Sequence, residues 1–246
     1  MIVFPMAGES RRFTEAGYPK PKYMLELGGG YCFDYAIAGF LEPYRGELFA
    51  FVHRDEKLAS EFVTQRLNAL NVRDYRLVPL QRQTGGQAET VVAGLESLNP
   101  DGKEPLSIFN IDTFRRNLTP PAGGDGRLEV FVGSGANWSY VLPETPGSGM
   151  AAKVAEKDPI SDLCCTGLYS FARCEDFLWA YEQEKITPSN VLNESYVAPL
   201  YNHLIRRGAV IGYDVVDPAD IAFCGVPAEY EALRMDHSKL AAFAAK

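Results

Sequence analysis

The amino-acid sequence predicts an α/β protein with a mixed, mainly parallel sheet, and three observations predict it. Short continuous apolar runs alternate with segments of helical spacing through the first half of the chain, the pattern of strands covered on both faces by crossover helices. The loops with the most suggestive residues, 6–22, 83–90 and 110–116, each follow one of those runs, which brings them to the carboxyl edge of the sheet, where ligands bind. From residue 128 the pattern shifts to strands separated by Gly/Pro-rich turns such as 143–149, which adds antiparallel pairs.

The elements follow in order. Residues 2–5 are an apolar strand, and residues 31–42 carry Tyr31, Phe33, Ala36, Ile37, Phe40 and Leu41 at helical spacing. Leu48-Phe49-Ala50-Phe51-Val52 is a strand buried on both faces. Residues 56–70 form a helix with Leu58, Phe62, Val63, Leu67 and Leu70 on one side, and 75–78 a short strand. A helix over 86–97 begins at glycine, and Leu106-Ser107-Ile108-Phe109 is another buried strand. Strands at 128–132, 139–142, 151–154 and 165–171 follow, then helical patterns at 173–182, 194–206 and 228–242. With 246 residues, no long linker and no internal repeat, the chain reads as one domain, 1–246.

Composition excludes several function classes. The net charge of −8 disfavours nucleic acid and anionic membrane, which need a broad basic surface. No apolar stretch is long enough to span a bilayer, and the first residues lack a signal-peptide pattern. The five cysteines (Cys32, Cys164, Cys165, Cys174, Cys224) are odd in number without C-x-x-C spacing, which points to reduced thiols and a cytoplasmic setting. Against the acidic background, Arg11, Arg12, Lys20 and Lys22 crowd the first loop, opposed there only by Glu9 and Glu15. That local imbalance suits a small anionic ligand.

The apolar run 2–6 feeds directly into Ala7-Gly8-Glu9-Ser10-Arg11-Arg12, so a strand ends in a small-residue turn that presents cations. Backbone N–H groups of such a turn can point at phosphate oxygens, and Gly8 lets the backbone approach closely. An ordinary strand-to-loop turn with solvated Arg and Lys has the same local sequence. Asn110-Ile111-Asp112 follows a buried strand, and a carboxylate there can hold Mg²⁺ against substrate phosphates, or merely cap a turn. Gly85-Gly86-Gln87 opens a helix: glycines admit a flat ligand and the amide can bond a base edge, or the glycines simply permit the turn. Glu156-Lys157 at a strand end can hold sugar hydroxyls and a phosphate, or form a surface ion pair. His53, His203 and His237 are scattered and make no metal or nucleophile system. The P-loop and nucleophile-elbow patterns are absent.

These pieces in this order resemble the sugar-nucleotidyltransferase family: Met6-Ala7-Gly8-Glu9-Ser10-Arg11-Arg12-Phe13, Pro21-Lys22, Gly86-Gln87-Ala88, Asn110-Ile111-Asp112, Glu156-Lys157, and Thr166-Gly167-Leu168 through Phe171. The stretches 138–141, 156–162 and 193–202 are similar to the branch associated with capsule and surface-polysaccharide synthesis, and the similarity runs to about Leu233. The resemblance implies a Rossmann-like three-layer sandwich of the nucleotide-diphospho-sugar transferase type, with a nucleotide-binding half (1–120) and an acceptor-binding half (121–246). It implies that Ala7, Gly8 and Ser10 with Arg12 cradle nucleotide phosphates, and that Lys22, rather than Lys20, neutralises the reacting ones. It further implies that Gly86 and Gln87 contact the base, that Asp112 binds Mg²⁺, and that Glu156, Lys157 and Gly167 line the acceptor pocket.

The expected partners are an NTP, with a pyrimidine favoured, and a small phosphorylated acceptor; a homo-oligomer is compatible with the chain. The sequence departs from the family twice. Ser10 stands at the second glycine of G-x-G-[ST]-R, and Phe223 stands where a second metal carboxylate is often found. Asp220 could replace that carboxylate only by bending inward. Two other readings stay open: a glycosyltransferase of the related GT-A-like sheet, and a non-catalytic relative that binds nucleotide.

Overall fold

A computed structural model describes residues 1–55, 57–189 and 194–245. Its strands are β1 (Ile2–Pro5), β2 (Glu26–Leu27), β3 (Gly30–Tyr31), β4 (Phe49–Arg54), β5 (Tyr75–Leu80), β6 (Leu106–Phe109), β7 (Thr113–Arg115), β8 (Gly126–Val132), β9 (Ser139–Pro143), β10 (Ala151–Glu156), β11 (Leu163–Phe171), β12 (Ile211–Val215) and β13 (Ile221–Phe223). Its helices are α1 (Arg11–Glu15), α2 (Cys32–Ala38), α3 (Lys57–Ala69), α4 (Gln87–Leu98), α5 (Cys174–Ile186), α6 (Tyr201–Arg206), α7 (Pro227–Met235) and α8 (His237–Ala241). These cluster into two compact units, neither of which follows a single cut in the sequence. One holds Met1–Val3, Thr84–Phe109 and Pro121–Pro218; the other holds Phe4–Gln83, Asn110–Pro120 and Ala219–Lys246.

In the first unit, Ile2 and Val3 of β1 pair in parallel with Ser107 and Ile108 of β6. β6 pairs antiparallel with β11, which also pairs with β8 and β9; β9 pairs with β10, and β8 runs parallel to β12. Every residue of β11 is buried, so Cys164 and Cys165, which point to opposite faces of it, are both inside. Phe171 stacks on Tyr201 at 4.5 Å and meets Phe177 edge-on at 5.2 Å, which fixes α5 and α6 against the strand.

In the second unit, β4 and β5 pair in parallel from Phe49↔Tyr75 to Arg54↔Leu80. Phe4 stacks on Phe49 and Phe51 and meets Phe40 edge-on. β7 pairs antiparallel with β13, from Ile221↔Arg115 to Phe223↔Thr113. All five cysteines are free and buried. No helix among the described residues is long and apolar enough to cross a membrane.

The expected class, α/β with a mixed sheet and flanking helices, is the observed one. Three expectations differ in detail. The pattern over 194–206 predicts one helix, but its regular part begins at Ala198, because Pro199 has no N–H and is tolerated only in a first turn. The segment 228–242 is two helices: Asp236 leaves helical geometry, and its carboxylate accepts Lys239 N–H at 2.9 Å to cap α8. Leu58, expected on the buried side of its helix, is 73% exposed. The loops 6–22 and 110–116 contain α1 and β7, elements too short for periodicity to reveal.

Candidate active site

In the second unit, β1 ends at Pro5, and Met6 and Ala7 are buried before Gly8 emerges. A Cβ on Gly8 would meet nothing within 4 Å, so the space beside it is not filled by protein. Ser10 adopts φ 51° and ψ 32°, the left-handed conformation that glycine enters more easily, so the turn is retained despite the substitution. Its carbonyl accepts the N–H groups of Phe13 (2.8 Å) and Thr14 (3.1 Å), which starts α1. Its hydroxyl accepts the backbone N–H of Lys22 at 3.2 Å. Arg11 is drawn to Glu9 at 3.0 Å, while Arg12 is exposed on α1 and Lys20 is exposed in the loop.

Lys22 opens a single turn of 3₁₀-helix after Pro21, and its Nζ donates to Asp112 Oδ2 at 2.5 Å. The two side chains are 26% and 20% exposed. Asp112 lies between β6 and β7, and its carbonyl accepts Cys224 N–H at 2.8 Å. The β7–β13 register carries Phe223 to Thr113, beside Asp112, so the position of the expected second carboxylate is close by but filled with an aromatic ring. Asp220 does not bend inward: its carboxylate accepts Arg116 Nε (2.7 Å) and Asn117 Nδ2 (3.0 Å). Glu229 Oε2 accepts the N–H groups of Gly225 (2.8 Å) and Val226 (3.2 Å) and so caps α7.

A Cβ on Gly225 would sit 3.1 Å from Asp112 Oδ2, so glycine there keeps open the space against the carboxylate. No group of three His, Cys, Asp or Glu able to hold a metal occurs among the described residues. A carboxylate with glycine beside it fits Mg²⁺, which takes one or two protein carboxylates and completes its shell with phosphate oxygens and water.

In the first unit, Gly86 precedes α4 at φ 147°, and a Cβ there would lie 2.5 Å from both the N and the O of Ser195. The chain that approaches this glycine is therefore the protein's own. Ser195 N–H donates to Gly85 O (2.9 Å), and Ala88 N–H donates to Ser195 O (2.9 Å). Gln87 is the first residue of α4 and is half-buried.

Glu156 ends β10 opposite Ser139 of β9, whose hydroxyl donates to Glu156 Oε2. Burial pushes the Glu156 carboxyl above its ordinary pKa, opposed by the Ser139 hydrogen bond and by Lys157. Lys157 adopts φ +56°, a conformation uncommon for a residue with a side chain. Its Nζ donates to Tyr196 Oη at 2.5 Å and lies 4.7 Å from that ring's centre, while Tyr196 Oη donates to Glu194 Oε2 at 2.5 Å. Gly167 is buried in β11 at φ +98°, where the β11–β8 register shifts between Cys165 and Tyr169; it serves a β-bulge.

The structure thus joins Ser10, Lys22 and Asp112 by hydrogen bonds in one unit, with Arg12 outside that group. In the other, residues 194–196 connect the Gly86 turn to Lys157 and, through it, to Glu156. Ser139, Glu194, Ser195, Tyr196 and Gly225 carry no role in the sequence reading. Ser139 is legible in principle, because hairpin pairing around the 143–150 turn sets it against Glu156. The partners in 194–196 have no such local signal.

No family model matches the chain, and no curated protein does. Solved structures do. A nucleoside-diphosphate-sugar pyrophosphorylase from Vibrio cholerae RC9 is 43% identical, with 96% of this chain and 100% of that one covered, at a TM-score of 0.91. The inositol-1-phosphate CTP transferase from T. maritima (15% identity, 97% and 94% covered, TM-score 0.72) shares the fold. So does a UDP-glucose pyrophosphorylase complexed with UDP-glucose (19% identity, 97% and 98% covered, TM-score 0.73). With a 43% identical structure matched over nearly its whole length, the chain belongs to the sugar-nucleotidyltransferase family and is an enzyme of the nucleoside-diphosphate-sugar pyrophosphorylase kind.

Proposed function

We propose that the protein joins an NTP to a sugar phosphate, or to a similar small phosphorylated metabolite, to make a precursor of capsule or surface polysaccharide. An acceptor phosphate oxygen attacks the α-phosphorus of the NTP in line, the bond to the bridging α–β oxygen breaks, and pyrophosphate leaves. Little covalent chemistry falls to the protein, whose part is positioning and charge neutralisation. The observation that carries this reading is the 2.5 Å apposition of the Lys22 ammonium and the Asp112 carboxylate, with Ser10 of the first turn bonded to the Lys22 backbone. A cation and a metal-competent carboxylate are thereby held together.

In this reading Ala7, Gly8 and Ser10, with Arg12, receive the nucleotide phosphates, and Lys22 offsets the charge that gathers on the α- and β-phosphates. Gln87, set by the Gly86 turn, meets the base, for which the family resemblance favours a pyrimidine. Glu156 accepts hydroxyls of the acceptor, Lys157 meets its phosphate, and the bulge at Gly167 shapes the wall. Asp112 would hold Mg²⁺, whose contribution when bound is Lewis-acid polarisation of phosphate oxygens.

A pyrophosphate-release screen tests the proposal, crossing the four common NTPs with phosphorylated sugars and polyols. One pairing should release pyrophosphate stoichiometrically with a nucleotide-activated product, and Lys22→Ala should abolish most turnover while leaving the melting temperature nearly unchanged. Release of a nucleoside diphosphate would convert the reading to glycosyl transfer. A fully active Lys22→Ala would remove Lys22 from its role.

A further inference from the structure

We propose that Lys22 occupies the cation position of Asp112 in the free protein and leaves it only when a triphosphate arrives, so that Asp112 accepts a divalent cation together with nucleotide rather than before it. The inference rests on the reading of Asp112 as the metal carboxylate. The ammonium sits 2.5 Å from Asp112 Oδ2, the same oxygen beside which Gly225 carries no Cβ. A divalent ion meeting that oxygen must displace the ammonium or share the carboxylate with it, and like charges at such range repel strongly. The acidic groups nearby are engaged by other partners: Asp220 by Arg116 and Asn117, and Glu229, whose Oε2 also lies beside Gly225, by the N–H groups of Gly225 and Val226, while residue 223 is phenylalanine.

The backbone of Lys22 is held on both sides of its Cα: its N–H donates to Ser10 Oγ at 3.2 Å, and its carbonyl accepts Leu25 N–H at 3.2 Å. Only the flexible four-carbon stem needs to move. A triphosphate supplies the ammonium with a new partner and the divalent ion with further oxygens, so both exchanges become favourable at once. Thermodynamic linkage then makes cation and nucleotide bind with strong positive coupling.

Mn²⁺ binding measured by electron paramagnetic resonance, without nucleotide, tests this on the full chain and on Lys22→Met, Lys22→Arg, Asp112→Asn and Lys22→Met/Asp112→Asn. The methionine variant removes the competing charge and should bind Mn²⁺ about tenfold or more tightly than the wild type. The arginine variant keeps the charge and should bind as weakly as the wild type, and the double variant should lose the gain. Should Lys22→Met bind no more tightly than wild type while Asp112→Asn binds less, the exchange fails and the assignment of Asp112 survives. Should the gain persist in the double variant, the assignment of Asp112 to the metal falls, and the exchange with it.

Discussion

Replacing Ser10 by glycine separates the two things this residue does. Its left-handed backbone (φ 51°, ψ 32°) costs about 1–2 kcal/mol relative to glycine, which the substitution relieves. Glycine gives back about 0.5–1 kcal/mol through the freer unfolded chain. Loss of the 3.2 Å bond from Lys22 N–H to the hydroxyl costs a further ~0.5 kcal/mol, the low end of the usual range for so long a bond. The sum is close to zero, so the melting temperature of Ser10→Gly should stay within about 2–4 °C of wild type for a chain of this size. Ser10→Ala keeps the strain and loses the bond, and should melt below Ser10→Gly. Both variants untether the Lys22 backbone, and both should lose about tenfold in kcat/KM for the nucleotide, in keeping with the sensitivity of transfer to small misplacements. Initial rates of pyrophosphate release and thermal melts read the two effects separately. A Ser10→Gly enzyme as active as wild type would show that the hydroxyl is idle and that serine is only a tolerated stand-in for the family's glycine.

Other outcomes follow from the same geometry. Gly86→Ala puts a Cβ 2.5 Å from the Ser195 backbone at a positive φ, and should cost about 2–4 kcal/mol from strain and two disturbed hydrogen bonds, read by urea denaturation. Glu156 has its folded pKa raised by burial, so the folded chain binds more protons than the unfolded one between the ordinary carboxyl value and the raised one. Stability contributed there is lost as pH rises through that window, so Glu156→Gln should match wild type in acid and melt higher than it toward neutral pH, in a series of melts against pH. Tyr196→Phe keeps the ring under Lys157 and removes the hydroxyl that orients it; it should raise KM for the acceptor about three- to tenfold, with KM for the nucleotide unmoved, in initial-rate kinetics.

Much of the fold is legible because burial on both faces leaves uninterrupted apolar runs: β1, β4 and β6 lie where Ile2-Val3-Phe4, Phe49-Ala50-Phe51-Val52 and residues 106–109 put them. The short pairs β2–β3 and β7–β13 are not legible, since two or three residues carry no periodicity and their partners are set by tertiary contact. The candidate site divides the same way. Lys22 and Asp112 stand out by residue type and place, yet their direct pairing joins positions 90 apart and has no sequence signal. Gly86 is legible as a site of close backbone approach, but its visitor is Ser195, which the sequence offers no reason to choose. Ser10 reads as a defect in the first turn and is instead a tether, because the spacing from Ser10 to Lys22 becomes a contact only after the intervening chain folds back.

The unit that contains Asp112 is assembled from Phe4–Gln83, Asn110–Pro120 and Ala219–Lys246. Asp112 takes its backbone partner from Cys224 and its open space from Gly225. On the ribosome, a nascent polypeptide that ends before residue 219 lacks the segment that finishes this carboxylate's surroundings, however well its earlier strands have formed. Fragments cut short of that segment should therefore be inert.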